Sequence, residues 1–278
     1  MSSGLSFDKN DWALILGASS GFGAATAREL ARQGMNVIGI HFDRAATLPA
    51  AEAVKADCEK SGARALFFNV NASDEAKRNE TLDVAKAELG ESGGTIRVLL
   101  HSLAFGSLRP LVSLTGEMLS QRQIEMTMDV MANTLVYWTQ GVITRGLMKK
   151  GGRIFAMTSS GGHSQLMNYG AVSAAKAALE SYMRQLALEL GPMGITANTI
   201  LAGVTDTPAL RKIPGAGAML DVAKAKNPSM RNGTAEDVAK GIALMAREES
   251  FFISGNVIRI DGGEDIVEYI GQKSAVEL

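Results

Sequence analysis

The chain has 278 residues, which is enough for one large domain or two smaller ones. Its 28 lysines and arginines nearly balance 29 acidic residues, and the net charge of -1 excludes a general nucleic-acid-binding protein. One cysteine, Cys58, and three scattered histidines exclude an intrachain disulfide and a metal site of the zinc type. The sequence shows neither a secretory signal nor an apolar run that could span a membrane, so we expect a cytoplasmic protein.

Short apolar runs alternate with longer amphipathic stretches along the chain. The apolar runs are nearly continuous, which is typical of strands buried on both faces of a parallel sheet. The alternation predicts a Rossmann-type, doubly wound α/β fold with about seven strands in a single domain, residues 1–278. We predict strands at residues 12–16, 36–40, 65–70, 96–100, 153–157, 195–200 and 256–260. Predicted helical stretches include residues 23–33, 73–89, 118–150, 171–190 and 235–247.

One segment, residues 203–233, interrupts this alternation. It contains three of the six prolines, and an insertion of this length is typical of a lid or a binding loop. We therefore predict a substrate lid at about residues 204–232, with a mobile surface loop as the alternative. Its apolar side chains suit a hydrophobic substrate but could equally pack in the core; they are Leu210, Ile213, Met219 and Leu220. After it, Thr234 and Asp237 predict a capped helix start.

A glycine-rich turn follows the first predicted strand. The strand leads through Gly17-Ala18-Ser19-Ser20-Gly21-Phe22-Gly23 directly into a helix. Glycines at such a junction permit a tight turn and let backbone N–H groups approach a pyrophosphate at the helix N-terminus. The sequence therefore predicts a dinucleotide site here, with a purely structural turn as the alternative.

The end of the second predicted strand bears on the choice between the two nicotinamide cofactors. Dinucleotide-binding folds place an acidic residue about 20 positions after the glycine turn, where it binds the ribose hydroxyls. His41 occupies that position and Arg44 lies three residues further on, which favours a 2′-phosphate and hence NADP(H) over NAD(H). Asp43 argues in the opposite direction, because its carboxylate could turn inward and bind the ribose.

Ser159, Tyr169 and Lys176 follow the fifth predicted strand. Seven helical residues turn about 700°, close to two full turns, so Tyr169 and Lys176 are predicted on the same side of a helix. A lysine ammonium near a phenol lowers the pKa of the phenol, as acid catalysis at neutral pH requires. A surface lysine and a half-buried tyrosine at chance spacing form the alternative.

Together these motifs resemble the short-chain dehydrogenase/reductase family over residues 11–263. The glycine turn is similar to the family's glycine motif, the LHSLA sequence at 100–104 stands in place of its Asn-Asn-Ala-Gly motif, and residues 258–263 resemble its C-terminal strand and turn. Most members place the catalytic tyrosine four residues before the lysine, where this chain has Val172. A tyrosine seven residues before the lysine, with HSLAF at 101–105, resembles the enoyl-acyl carrier protein reductase branch.

The resemblance implies NAD(P)H-dependent reduction with Ser159, Tyr169 and Lys176 as the catalytic residues, and Lys176 also holding the nicotinamide ribose. It leaves Asn133 without an assigned role, and it implies a homotetramer, the common assembly of the family. The other cofactor contacts that it implies are Ser19 and Phe22 at the pyrophosphate, Asn69 and Val70 near the adenine, Ser102, Leu103 and Ala104 beside the nicotinamide ribose, and Gly203, Thr205 and Thr207 at the nicotinamide amide and phosphate.

Three functions stay open from the sequence. The leading one is reduction of the 2,3 double bond of an enoyl thioester in fatty acid biosynthesis, with acyl carrier protein or coenzyme A as carrier and Tyr169 stabilising the enolate. The second is reduction of a carbonyl or an enone outside that pathway, and the third is a dinucleotide sensor without catalysis. Basic residues near the lid could meet an acidic carrier protein, although a solvated surface explains them as well; they are Lys212, Lys224, Lys226 and Arg231.

Overall fold

The computed structural model describes residues 7–268, and at its centre lies one sheet of seven strands. The strands are β1 (Asp11–Leu16), β2 (Asn36–His41), β3 (Ala65–Asn69), β4 (Thr95–His101), β5 (Arg153–Thr158), β6 (Thr196–Ala202) and β7 (Val257–Ile260). Their order is β3-β2-β1-β4-β5-β6-β7, and every neighbouring pair is parallel. The predicted Rossmann-type fold is confirmed; residues 1–6 and 269–278 of the predicted domain lie outside the described residues.

Helices cover both faces of the sheet. They are α1 (Gly21–Arg32), α2 (Leu48–Lys60), α3 (Glu75–Ser92), α4 (Gln121–Met128), α5 (Thr134–Thr144), α6 (Gly170–Leu190), α7 (Ala216–Lys226) and α8 (Ala235–Met245). Successive residues of β1 point to opposite faces, so Ala13 and Ile15 pack with α1, α2 and α8, whereas Leu14 and Leu16 pack with α3, α5 and α6. Burial on both faces explains why the strands are apolar without alternation. Within residues 7–268, none of the helices combines the length and apolar character needed to cross a membrane.

The predicted helix 118–150 is wrong in its extent. The chain forms α4, a π-helical turn at Asp129–Asn133 and then α5, which ends at Thr144. A capping box at Ser120 starts α4, and Gly146 adopts a left-handed conformation with a φ of 69° that stops the helical run. Apolar residues continue beyond both boundaries, so the hydrophobic pattern alone did not reveal them.

Two helices, α2 and α7, were absent from the predicted stretches. Each buries little of its surface, since the buried residues of α2 are Ala51, Val54 and Cys58, and α7 buries Ala223. A short buried face gives a weak hydrophobic pattern in the sequence. Because α7 falls inside the predicted lid, the segment 204–232 contains a helix in addition to its turns. Its mobility without ligand stays a prediction.

The order of the strands reverses between β1 and β4, which are neighbours in the sheet. In open parallel sheets, ligands bind beyond the carboxyl ends of the strands at such a point. The glycine turn follows β1, and residues 102–104 follow β4, so both predicted cofactor segments lie there. The fold therefore brings together segments that are distant from each other in the sequence.

The predicted helix start at Thr234 is confirmed and provides a test of local stability. The Thr234 hydroxyl accepts from the Asp237 N–H at 3.1 Å, and the Asp237 carboxylate accepts from the Thr234 N–H at 3.0 Å. We expect Thr234→Ala to lower the free energy of unfolding by about 1 kcal/mol, measured by urea denaturation. Thr234→Ser keeps the hydroxyl and should remain close to the unmodified protein; equal losses in the two variants would contradict the capping role.

Candidate active site

The glycine turn is built around close contacts between backbone atoms. Gly17 has a φ of 91°, and its N–H donates to the Ile40 carbonyl at 2.8 Å, which ties the turn to β2. A Cβ on Gly17 would overlap the carbonyl oxygen of Ser102, and a Cβ on Gly23 would overlap that of Gly17. Larger side chains cannot occupy these two positions without moving the backbone. The turn therefore lies directly against the segment that follows β4.

The start of the predicted lid lies over this turn. The methyl carbon of Thr207 is 3.6 Å from where a Cβ on Gly21 would be, and Thr205 and Thr207 are both buried. A cavity of about 510 Å³ lies between the glycine turn, α1, α2, the predicted lid and the N-terminus of α8. Its lining includes Ser19, Ser20, Gly21, Thr205 and Thr234. Predicted pyrophosphate and nicotinamide contacts are thus brought to one place.

The Asp43 carboxylate lies at the end of the site where the adenosine is expected. Asp43 turns inward, and its Oδ2 lies 3.0 Å from Nδ1 of His41. Burial acts to raise the pKa of Asp43, but Thr47, Ser19 and His41 together lower it below its ordinary value. Asn69 fixes the backbone of Asp43, since its amide group accepts from the Asp43 N–H and donates to the Asp43 carbonyl, both at 2.9 Å. The structure therefore has the inward orientation of Asp43 that the sequence left open as an alternative.

The other predicted residues at this end lie where the strands finish. Arg44 is exposed beside Asp43, and the Val70 N–H donates to the His41 carbonyl at 2.8 Å. The Ser102 N–H donates to the Leu16 carbonyl at 2.9 Å, Leu103 is half-buried, and Ala104 is exposed. All of these segments face the same edge of the sheet because parallel strands end on the same side.

Tyr169 stands at the start of α6, one residue before its first helical residue. The prediction that Tyr169 and Lys176 share one helix is therefore only partly right. Asn168, directly before the tyrosine, adopts a left-handed conformation with a φ of 64°, which is uncommon for a residue with a side chain. Lys176 is buried in the helix, and its ammonium donates to the Met157 carbonyl at 2.7 Å. This backbone turn before α6 sets the direction of the phenol.

The prediction that the Lys176 ammonium lowers the pKa of the Tyr169 phenol is wrong in this structure. Burial raises the pKa of Tyr169 above its ordinary value, and only the Ser159 hydroxyl acts against this rise. Both side chains border Gly161: the position of a Cβ on this glycine is 2.6 Å from the Tyr169 ring and 3.2 Å from Ser159 Oγ. Ser159 Oγ is buried, and apart from its interaction with the Tyr169 hydroxyl it has no hydrogen-bond partner among the described residues. Such a site holds a protonated phenol beside a hydroxyl that can make a further hydrogen bond.

His101, at the end of β4, is a neutral residue behind the site. Burial and, to a smaller extent, the nearby Lys176 ammonium lower its pKa to about 3. The Thr134 hydroxyl donates to the Val130 carbonyl at 2.8 Å, so its oxygen accepts the proton on His101 Nε2 at 2.8 Å. Asn133, in the same π-helical turn, instead accepts from the Tyr182 hydroxyl at 3.0 Å. Its amide therefore links the π-helical turn to α6.

Glu264 supports the loop that is expected to contact the nicotinamide, and sequence reasoning missed it. Its two carboxylate oxygens each lie 3.2 Å from the Val204 N–H, and the position of a Cβ on Gly203 is 2.6 Å from Oε2. Burial raises the pKa of Glu264. The contact spans 60 residues of sequence and depends on β6 and β7 lying side by side, so no local pattern indicates it.

Exposed apolar side chains surround the entrance near Tyr169. They belong to the loop after β4 and to the turn before α6: Phe105, Leu111, Val112, Leu114, Met118, Leu166 and Met167. The Leu111 side chain lies 2.6 Å from where a Cβ on Gly170 would be, so the first of these loops touches the start of α6. In the predicted lid, by contrast, Leu210 is buried, and Ile213, Met219 and Leu220 are half-buried. The larger exposed apolar surface is therefore in these two loops.

The residues present fit a nicotinamide dinucleotide. The glycine turn leaves no room for side chains where backbone N–H groups must reach a pyrophosphate. Ser159 provides a buried hydroxyl that has no partner besides Tyr169 among the described residues, and Lys176 provides an ammonium that is bonded to Met157, two residues before Ser159. Carboxylate, imidazole and guanidinium groups lie at the opposite end, where the ribose and any 2′-phosphate would be recognised.

Comparison with known proteins agrees with this geometry. A family model described as enoyl-(acyl carrier protein) reductase matches residues 17–264. The chain belongs to the short-chain dehydrogenase/reductase family. It is an oxidoreductase of that family, and a nicotinamide dinucleotide is its cofactor.

Individual relatives cover nearly the whole chain. The 1-cyclohexenylcarbonyl-CoA reductase of Streptomyces collinus is 28% identical and covers 94% of this chain and 89% of its own length. The 3-oxoacyl-[acyl-carrier-protein] reductase of Escherichia coli (strain K12) is 29% identical and covers 90% of this chain and 96% of its own. A short-chain dehydrogenase from Burkholderia cenocepacia, solved in complex with NADP, is 30% identical, has a TM-score of 0.77 and covers 92% and 98% of the two chains.

The glycine turn gives a direct test of the cofactor site. We expect Gly23→Ala to weaken dinucleotide binding by at least about 10-fold, because the new methyl group overlaps the Gly17 carbonyl and displaces the turn. Titration by cofactor fluorescence measures this change. Gly90→Ala is the matched control, since that helical glycine has open space around it. Undiminished affinity in Gly23→Ala would show that the dinucleotide does not contact this turn.

Proposed function

We propose that this protein reduces the 2,3 double bond of an enoyl thioester. The observation that carries the proposal is the position of the phenol: Tyr169 precedes α6, while the position four residues before Lys176 is Val172. Val172 is buried and lies against Gly106, and its side chain has no group that can donate a proton. The acid of this site therefore lies three residues nearer the start of the helix than in most of the family.

That position suits the chemistry of an enoyl thioester. A bound reduced nicotinamide supplies a hydride, and an enoyl thioester accepts it at Cβ. Negative charge then develops on the thioester oxygen, several bonds from the carbon that is reduced. We assign the Tyr169 hydroxyl as the donor that stabilises this oxygen, since burial keeps the phenol protonated by raising its pKa. In carbonyl reduction the charged oxygen is on the reduced carbon itself, which calls for an acid closer to the nicotinamide.

The other residues have supporting roles in this proposal. Lys176 holds the nicotinamide ribose with an ammonium that is buried in the protein. The Ser159 hydroxyl donates a hydrogen bond to the substrate oxygen or to the phenol. The apolar residues of the loops at 105–118 and 166–167 contact the acyl chain. The name of the Streptomyces relative supports this class of substrate, because 1-cyclohexenylcarbonyl-CoA is itself an α,β-unsaturated thioester.

Reduction of a carbonyl is the second candidate. It is favoured by the retention of Ser159 and by the similarity to a 3-oxoacyl-[acyl-carrier-protein] reductase. Activity assays with two groups of substrates separate the two functions. One group contains crotonyl- and dodecenoyl-thioesters, and the other contains ketones and 3-oxoacyl thioesters. A protein that reduces ketones well and ignores enoyl thioesters would overturn the proposal. Binding of the dinucleotide without reduction of either class of substrate would support the third function, a dinucleotide sensor without catalysis.

Two substitutions test the assigned roles. We expect Tyr169→Phe to lower kcat on an enoyl thioester by about 100-fold or more, because one donor to the developing oxyanion is lost, and to leave dinucleotide affinity nearly unchanged. Lys176→Ala should lower both kcat and the affinity for the dinucleotide. Tyr182→Phe is the matched control, since it removes a phenol hydroxyl from the same helix where it donates to Asn133. Equal rates for Tyr169→Phe and Tyr182→Phe would remove Tyr169 from the reaction.

We propose that NADPH is preferred over NADH. The Asp43 carboxylate is satisfied by His41 and by the neighbouring hydroxyl groups, whereas the Arg44 side chain is exposed, and we assign it to the 2′-phosphate. Arg44→Ala should then weaken NADPH binding by about 10-fold through loss of a charge-assisted hydrogen bond and leave NADH binding unchanged. Lys60→Ala, at the exposed end of α2, is the control of equal charge. Equal affinity of the unmodified protein for both cofactors would contradict the preference.

Several expectations stay predictions beside these proposals. They are a place in fatty acid biosynthesis, an acyl carrier protein as partner, a homotetramer and a cytoplasmic location. In the structure, Lys212 and Arg231 are exposed on the lid segment, but Arg231 pairs with Asp237 at 2.6 Å. This pair reduces the positive charge that an acidic carrier protein would meet.

A further inference from the structure

One face of α6 carries three polar side chains that bond to a single short segment. Ser173, Lys176 and Glu180 are spaced by three and four residues, so they lie on the same side of the helix. The Ser173 hydroxyl donates to the Gly161 carbonyl, and the Lys176 ammonium donates to the Met157 carbonyl at 2.7 Å. Both contacts fall within residues 157–161, which contain Ser159.

Glu180 makes the third contact. Its Oε1 accepts from the Thr158 hydroxyl at 2.7 Å, and it is also 2.7 Å from where a Cβ on Gly162 would be. Thr158 is buried, and it is the residue directly before Ser159. The carboxylate therefore contacts the end of β5 from the same side as Lys176, one helical turn further along.

The geometry points to Glu180 as a positioning residue of the active site: its carboxylate fixes the end of β5 beside Ser159 and serves as the counter-charge of the Lys176 ammonium. The inference rests on the proposed role of Lys176 in cofactor binding. In this role Glu180 does not touch the reacting atoms. It acts through Ser159 and Lys176, which are proposed to do so. In chemical terms, a buried ammonium needs a nearby anion to keep its proton.

The electrostatics of the neighbouring groups agree with this role. Burial lowers the pKa of Lys176 to about 8, and Glu180 is the group that acts to raise it. His101 approaches Lys176 from β4, but its pKa of about 3 leaves it neutral above about pH 5. Tyr169, at the start of the same helix, has a pKa raised by burial and stays protonated at higher pH. Loss of the proton from Lys176 is therefore expected to set the alkaline limit of cofactor binding and turnover.

Two variants separate the charge of Glu180 from its hydrogen bond. Glu180→Gln keeps an oxygen that can accept from Thr158 but removes the negative charge. Thr158→Val removes the hydroxyl and leaves the carboxylate in place, one helical turn from Lys176. Because Glu180 raises the pKa of Lys176, its neutralisation must lower that pKa, so the alkaline limb of the pH profile moves to lower pH. We expect a displacement of about 1 pH unit for Glu180→Gln and a clearly smaller one for Thr158→Val.

The primary measurement does not need turnover. Protein labelled with ¹³C at lysine Cε is titrated by NMR, and the Lys176 signal is assigned by its loss in Lys176→Met. The alkaline limb of dinucleotide affinity and of kcat/KM is then compared with this titration. If Glu180→Gln does not fold, Glu180→Asp carries the test, since withdrawing the carboxylate by one methylene should displace the titration in the same direction by less.

An unchanged Lys176 titration in the folded Glu180 variant would overturn the inference. So would a displacement in Thr158→Val as large as that in Glu180→Gln, because the effect would then come from packing of the strand end. Failure of the unmodified protein to reduce any thioester or ketone would instead defeat the proposed function. The NMR titration would still decide the role of Glu180 in that case.

Discussion

The site depends on the close approach of two backbone turns at the boundary between β1 and β4. Gly17 and Gly23 leave no space for a Cβ, and the carbonyl of Ser102 fills the volume that a side chain on Gly17 would take. Parallel strands give both turns the same direction, because each leaves the sheet at its carboxyl edge. The segment after β6 and the loop after β4 can then approach the glycine turn from the same edge of the sheet.

α6 positions the side chains that we propose as catalytic. The helix packs on the sheet through its apolar residues, among them Ala175, Leu179 and Met183, and a narrow polar face lies against the end of β5. Hydrogen bonds from this face hold the segment that contains Ser159, while the left-handed turn at Asn168 directs Tyr169 before the helix begins. Tyr169 and Lys176 are thus positioned by different parts of the chain. Their relative position does not follow from helical spacing alone.

The sequence predicted the features that depend on local pattern. All seven strands were recognised, since burial on both faces makes most of them nearly continuous apolar runs, and the glycine turn was recognised because it joins a strand to a helix. Local pattern did not predict which way Asp43 turns, the support of Gly203 by Glu264 or the contact of Glu180 with Thr158. These contacts depend on how neighbouring strands, helices and loops meet in the fold, so a single stretch of sequence carries no sign of them.

Burial acts on the three titratable side chains of the centre in the same direction, towards the neutral form. It is the main cause that lowers the pKa of His101 to about 3 and that of Lys176 to about 8, and it raises the pKa of Tyr169. At neutral pH the imidazole is therefore a hydrogen-bonding group without charge, and the phenol keeps its proton. Lys176 remains mostly protonated, helped by the carboxylate one turn away. A protonated phenol can donate a hydrogen bond to a developing oxyanion but is a poor base, which agrees with the proposed role of Tyr169.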